Sequence, residues 1–132
     1  MKNKLRKRTR TLSNYELNVL LPILMKGLET KKGKANAVSG WEIIEGLRSH
    51  GLRINNMNMN MLINYIRTND LIEGLMGTSA GYYTSNSEQE LIAYEDTLMS
   101  REASIRNLRM SIKRQRRAMF SPAHKEKQTQ LF

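Results

Sequence analysis

The sequence predicts a mainly α-helical protein with one small β-hairpin, followed by a long C-terminal helix. Three features support this fold class. Leucine and isoleucine recur at helical spacing in several segments, and three Ser-x-x-Glu patterns of the kind that cap helices open such segments. A glycine-bounded turn separates two short apolar runs, as in a hairpin, and neither Gly nor Pro occurs from Ser87 to Ser121.

The composition fits one modest domain with extensions and sets limits on function. The 132 residues are 39% hydrophobic and include no cysteine, which excludes disulfides and thiolate metal sites. His50 and His124 lie far apart, so we expect neither a zinc site nor a cofactor. No apolar run reaches the roughly 18 residues of a membrane span, and no apolar stretch follows the basic start. We therefore expect no membrane partner and a cytoplasmic location.

The charge is strongly positive and unevenly distributed. The net charge is +10 and the isoelectric point is about 10.2. Residues 1–34 carry ten Lys or Arg and two acids, residues 35–100 carry three and eight, and residues 101–132 carry nine and two. Two basic flanks around an acidic middle indicate a polyanionic partner, with surface solubility as the alternative.

The first helix is predicted to begin at the capping box Ser13-Asn-Tyr-Glu16, after a basic arm over residues 1–12. Pro22 should kink or split this helix near Asn18, and Gly27 marks its approximate end. One apolar stripe follows the capping box: Leu17, Leu20, Leu21, Leu24 and Leu28.

The second helix is predicted to open at Ser39-Gly-Trp-Glu42 and to stop at Gly51. Its inner face would carry Ile43, Ile44 and Leu47. The next three residues, Leu52 to Ile54, have the composition of a short strand.

The third helix is predicted to be capped by Asn55 or Asn56 and to run to about Asn69. A hairpin follows it: a strand from Leu71 to Met76, a turn from Gly77 to Gly81, and a strand from Tyr82 to Thr84.

The long helix is predicted over residues 87–119, opened by the capping box Ser87-Glu-Gln-Glu90. Its apolar residues recur in alternating steps of three and four, which is typical of a coiled coil. So long a stripe exceeds what a small domain can cover, so we expect a homodimer, and a disordered tail at residues 121–132. The predicted dimer seam is Leu91, Tyr94, Leu98, Ile105, Leu108 and Ile112.

Residues 13–84 resemble the winged helix-turn-helix proteins of phages and mobile elements. The resemblance rests on Asp70-Leu-Ile-Glu-Gly-Leu-Met, on Gly81-Tyr82-Tyr83 and on the long basic helix after Ser87. It implies a winged-helix domain at residues 13–85 and a long basic helix at residues 86–120. It also implies binding of duplex DNA in a bacterial host cell, with the third helix in the major groove and the wing beside the backbone.

The third helix has an inner face of Met59, Leu62, Ile63 and Ile66, and Leu71 should continue this apolar series. Asparagine can bond adenine N6 and N7 together, and methionine can pack on thymine methyl groups, so the outer face suits A·T-rich sequence. The alternatives are an AT-rich genome for the asparagines and a protein interface for the methionines. The predicted base contacts are Met57, Asn60, Met61, Asn64 and Thr68.

Phosphate contacts are predicted in three places, because cations and hydroxyls bind backbone oxygens. They are the arm, the loop before the second helix, and the wing turn. The cations of the long helix either flank a dimer seam or hold DNA. The candidates in the first three places are Lys4, Arg6, Lys7, Arg8, Arg10, Lys31, Lys32, Lys34, Thr78 and Ser79.

The last five residues, Gln128-Thr-Gln-Leu131-Phe132, are similar to the peptide by which bacterial replication and repair proteins bind the sliding clamp. Gln128 would bond at a pocket rim while Leu131 and Phe132 fill an apolar cleft. The alternative is a tail without this role.

No phosphate loop, paired-histidine spacing or nucleophile motif occurs, so we expect no enzymatic activity. Three functions remain open: a transcription regulator binding operator DNA as a dimer, an origin-binding protein that recruits replication machinery through the clamp, and an adaptor that binds protein rather than DNA.

Overall fold

The computed structural model describes residues 11–123 and 130–132, and it is mainly helical with one antiparallel hairpin, as predicted. The chain divides into two compact units between Leu91 and Ile92. Within the described residues, every helix is too short or too polar to cross a membrane. The elements are a π-helical turn Glu16–Leu20, α1 Leu21–Leu28, a 3-10 turn Lys34–Asn36, α2 Gly40–Ser49, α3 Asn56–Thr68, β1 Leu75–Thr78, β2 Gly81–Thr84 and α4 Glu88–Met119.

The first helix is widened where proline was expected to disturb it. The Leu21 N–H bonds to the carbonyl of Glu16, five residues back, and Pro22 follows directly. Proline has no N–H to donate, and its ring would clash with the carbonyl of Asn18 in a regular helix. A wider turn relieves that clash, so the irregularity expected near Asn18 is a π-helical turn.

Reciprocal capping bonds begin the first three helices. The Ser13 N–H donates to the Glu16 carboxylate at 2.8 Å, and the Glu16 N–H donates to the Ser13 hydroxyl at 3.1 Å. Ser39 and Glu42 make the same pair of bonds before α2. At α3 the cap is Asn55 rather than Asn56, paired with Asn58. These bonds satisfy backbone donors that would otherwise be unpaired.

One apolar core joins α1, α2 and α3 to the hairpin, and the predicted inner faces of α2 and α3 contribute to it. The prediction for Leu71 is wrong, because Leu71 is exposed and its neighbour Ile72 enters the core instead. The core residues are Leu20, Leu24, Leu28, Ile43, Ile44, Ile54, Met59, Leu62, Ile63, Ile66, Ile72 and Leu75.

The first strand begins four residues later than predicted. Asp70 and Gly74 both have positive φ, at 56° and 75°, so the chain turns between α3 and β1 instead of extending from Leu71. The hairpin turn is also shorter than predicted. Gly77 pairs with Tyr82 inside the ladder, which leaves only residues 79 and 80 as the loop.

The expected strand at Leu52–Ile54 is absent from the structure. Other groups bond its backbone: the Tyr15 hydroxyl accepts the Arg53 N–H, and the Arg48 Nε donates to the Ile54 carbonyl. The second edge of β2 is bridged instead by Lys32, opposite Thr84, and by Val38, opposite Tyr82. The loop before α2 is therefore held against the hairpin.

Only one of the two bonds of the third capping box is made as predicted. The Ser87 hydroxyl accepts the Glu90 N–H at 3.2 Å, as expected, but the Glu90 carboxylate bonds the hydroxyls of Ser85 and Tyr83. These bonds, Ser85 first, lower the pKa of Glu90, and the bond to Glu90 raises the pKa of Tyr83. The carboxylate thus ties the first turn of α4 to β2.

Gly74 should be sensitive to substitution, and Gly46 offers a matched control. A Cβ at Gly74 would lie 2.3 Å from the Ser85 carbonyl oxygen, and its φ is +75°. We expect Gly74→Ala to lower the free energy of unfolding by about 1–3 kcal/mol or more. Gly46→Ala, in open space on α2, should raise it by about 0.5–1 kcal/mol. Urea unfolding measures both, and two changes of equal sign would contradict this interpretation of the two positions.

Candidate nucleic-acid interface

The outer face of α3 is a row of exposed polar and thioether side chains. Met57 is 58% exposed, and Asn60, Asn64 and Thr68 are exposed as well. Met61, predicted to share this face, is half-buried beside the core residue Leu62. The four exposed residues lie at positions i, i+3, i+7 and i+11, which gives one stripe along the helix.

The asparagines of this segment have different roles, which the sequence alone did not separate. The side chains of Asn55 and Asn58 are used in capping α3. The Asn69 amide donates to the Tyr65 carbonyl at 2.9 Å. Asn60 and Asn64 are the exposed pair one turn apart in the middle of the helix, and this spacing suits contacts to successive base pairs.

Thr68 is a weaker candidate than the two central asparagines. Its hydroxyl donates to the Asn64 carbonyl at 2.8 Å, so its only proton is already used. Thr78 in the hairpin is similar, since its hydroxyl donates to the Gly81 carbonyl and accepts the Ala80 N–H. Ser79, exposed at the tip of the hairpin, is the better candidate of the two to donate to a phosphate.

The lysine loop, residues 31–34, is fixed beside the hairpin. The Thr84 N–H donates to the Lys31 carbonyl at 2.8 Å, and the Gly33 N–H donates to the Thr84 carbonyl at 2.9 Å. Lys31 is half-buried, whereas Lys32 and Lys34 are exposed. The loop therefore presents two accessible cations next to the second strand of the hairpin.

Two acids modify the field of this loop. Hydrogen bonds from Ser39 lower the pKa of Glu42, and the charge of Lys31 adds to this effect. The pKa of Glu90, lowered first by Ser85 and Tyr83, is lowered further by Lys34. The positive charges of Lys31 and Lys34 are therefore partly offset by the nearby carboxylates of Glu42 and Glu90.

Sequence reasoning missed two arginines that flank the N-terminus of α3. Arg48 and Arg53 line a groove with Thr11, where the described chain begins. The Arg53 guanidinium lies 4.7 Å from the centre of the Tyr15 ring, whose hydroxyl donates to the Arg53 carbonyl. Phosphate oxygens would meet both cations and a helix N-terminus in this arginine groove. The signal in the sequence was an arginine on each side of the turn between two helices.

The remaining candidates lie elsewhere. Lys4, Arg6, Lys7, Arg8, Arg10 and Gln128 fall outside the described residues. Leu131 and Phe132 are exposed. In the predicted seam Leu91 and Tyr94 are half-buried, and the exposed members are Leu98, Ile105, Leu108 and Ile112.

Comparison with protein-family models, with curated proteins and with solved structures gives no match for this chain. Within residues 11–123 and 130–132, no cluster of three His, Asp or Glu side chains is placed to hold a metal ion. The outer face of α3, the arginine groove and the lysine loop carry amides and cations, which is the chemistry that suits a nucleic acid.

Proposed function

We propose that this chain is a DNA-binding protein of the winged helix-turn-helix type, with α3 in the major groove and the hairpin beside the backbone. The order of α1, α2, α3, β1 and β2 supports this, as does the turn through Gly51 that joins α2 to α3. The pairing of Val38 with Tyr82 supports it further, because it stiffens the hairpin against the helices.

The observation that carries the proposal is the two-sided character of α3. Met59, Leu62, Ile63 and Ile66 fix one face in the core, so the opposite face has a defined direction. The stripe on that face offers amide groups, which can read base edges, and its residues Met57, Asn60, Asn64 and Thr68 are uncharged. Affinity then comes from the cations around the helix, and discrimination from the helix itself.

The biological role follows from where the DNA sites lie. A phage or mobile-element protein acting in a bacterial cytoplasm, as a dimer, would regulate transcription if its sites are at promoters. Clustered repeats at a single origin would indicate a replication protein. Footprinting on the DNA of its own genome distinguishes the two roles, and absence of protection at any site would favour a protein-binding adaptor.

The lysine loop provides the direct test of phosphate binding. Lys32→Gln with Lys34→Gln should flatten the dependence of log affinity on log salt by about 0.9 for each phosphate that is no longer neutralised. Lys26→Gln, at an exposed position of α1 outside the proposed interface, should leave the slope unchanged. Fluorescence anisotropy with a labelled duplex, from about 50 to about 200 mM salt, measures the slope. An unchanged slope in the double variant would remove the loop from the interface.

A second candidate function is recruitment of the sliding clamp by residues 128–132. The supporting observation is that Leu131 is 84% exposed and Phe132 is fully exposed, so both apolar side chains are accessible. Leu131→Ala with Phe132→Ala should abolish capture of a purified bacterial clamp. Phe120→Ala, an equally apolar and exposed position, should not. Equal capture by all three proteins, or capture by none, would reject this role.

A further inference from the structure

Helix α4 carries an apolar stripe that is exposed among the residues that the structure describes. None of its residues is buried, and Ile105 and Leu108 are 68% and 64% exposed. The stripe continues over Leu98 and Ile112 at the same alternating spacing. Large side chains at this spacing match the core positions of a two-stranded coiled coil, so a second α4 fits the surface.

The charges of α4 are divided between its two halves. Residues 88–100 contain four acids and no Lys or Arg, whereas residues 101–119 contain seven cations and one acid. Two such helices side by side in parallel would place acid beside acid and cation beside cation. Reversing one helix brings each acidic half against a basic half, which favours an antiparallel pair.

The residues on the two flanks of the seam are a second, independent reason to expect an antiparallel pair. One flank carries Glu95, Glu102, Arg109 and Arg116, while the other carries the small residues Thr97, Ser104, Ser111 and Ala118. In a parallel coiled coil each flank faces the opposite flank of its partner, so these charges would face small neutral residues. In an antiparallel pair, like flanks face each other, and glutamates meet arginines.

We propose that α4 pairs with α4 of a second copy in antiparallel orientation, with Glu95 and Glu102 of each copy beside Arg109 and Arg116 of the other. In the register that overlaps the two helices over nearly their whole length, Leu98 packs on Leu108 and Tyr94 on Ile112, and the two-fold axis passes near residue 103. This inference rests on the proposed function, because it gives the geometry of the dimer proposed there. The dimer itself does not require DNA for its formation.

Charge reversal tests the pairing. Glu95→Arg with Glu102→Arg should weaken the homodimer about tenfold or more, and Arg109→Glu with Arg116→Glu should do the same. An equimolar mixture of the two variants should dimerise again, because every flank contact is then opposite in sign. Asp96→Arg, on the outward side of α4 and away from both flanks, is the control and should weaken the dimer far less than either double variant. Light scattering gives the mass, and a monomeric natural chain, or no recovery in the mixture, would overturn the proposal.

Spin labels test the orientation of the two helices. Because the chain has no cysteine, a label attaches only at the cysteine that is introduced. Ala103→Cys and Arg117→Cys both lie on the outward face of α4. In the antiparallel pair, the labels of the two copies should lie at the same height along the helix axis when attached at residue 103. Labels attached at residue 117 should be about 42 Å apart along that axis. Equal label distances at the two positions would show parallel pairing and overturn the proposal. An antiparallel dimer that binds no duplex would contradict the proposed function alone.

Discussion

Asn60→Ala combined with Asn64→Ala should remove most of the chain's preference among DNA sequences. A bidentate asparagine–adenine contact gives about 1–3 kcal/mol of discrimination, so the double variant should lose about 2 kcal/mol or more, roughly 30-fold. Both amides are exposed at the middle of α3, one turn apart. Competition between a preferred duplex and the same duplex with A·T pairs replaced by G·C measures the loss.

Binding that depends only on phosphate should persist in this variant, because the lysine loop and the arginine groove remain. Asn107→Ala on α4 is the matched control, and it should keep the full preference. If the double variant discriminates as well as the natural chain, α3 is not the reading helix. If it loses affinity equally for both duplexes, the amides hold DNA without reading it.

Leu62→Ala should have the largest effect on stability of any single truncation considered. Leu62 is completely buried in the core between α3 and the rest of the first unit. Leucine truncation at such sites costs about 3–5 kcal/mol, a large part of the roughly 5–15 kcal/mol that stabilises a small domain. Urea unfolding of the purified chain, followed by circular dichroism, measures the change in the free energy of unfolding.

Leu71→Ala provides the comparison for this prediction, because Leu71 is 39% exposed just after α3. Its truncation should cost about 1 kcal/mol or less. Similar costs at the two positions would mean that α3 does not turn its Leu62 side to the core. The direction of its outer face, and with it the proposed interface, would then be wrong.

The helices could be predicted from the sequence because their signals are local. Ser13 and Ser39 each lie three residues before the glutamate that completes the cap, and the core stripe of α3 follows from its spacing alone. The hairpin was misplaced because Asp70 and Gly74 adopt positive φ, which the apolar run beginning at Leu71 conceals. The second edge of β2 could not be foreseen, because Val38 reaches Tyr82 only through the fold.

Part of the candidate site could also be predicted, because some of its signals are local in the sequence. The helical spacing of Asn60 and Asn64 is enough to place them on an outer face. Arg53 was missed because its position depends on Tyr15, which is 38 residues away in the chain. Glu90 matched a local capping pattern, yet the hydroxyls of Ser85 and Tyr83 proved to be its partners.

The most direct measurement is a titration of the isotope-labelled full-length chain with an A·T-rich duplex, followed by the backbone amide signals in NMR spectra. We expect the largest shifts on α3 around Asn60 and Asn64, with further shifts at Lys31–Lys34 and Ser79. Signals of core residues such as Leu24 should move little. Amide signals that stay unchanged with every duplex at low salt, or that move only within α4, would contradict DNA reading by α3.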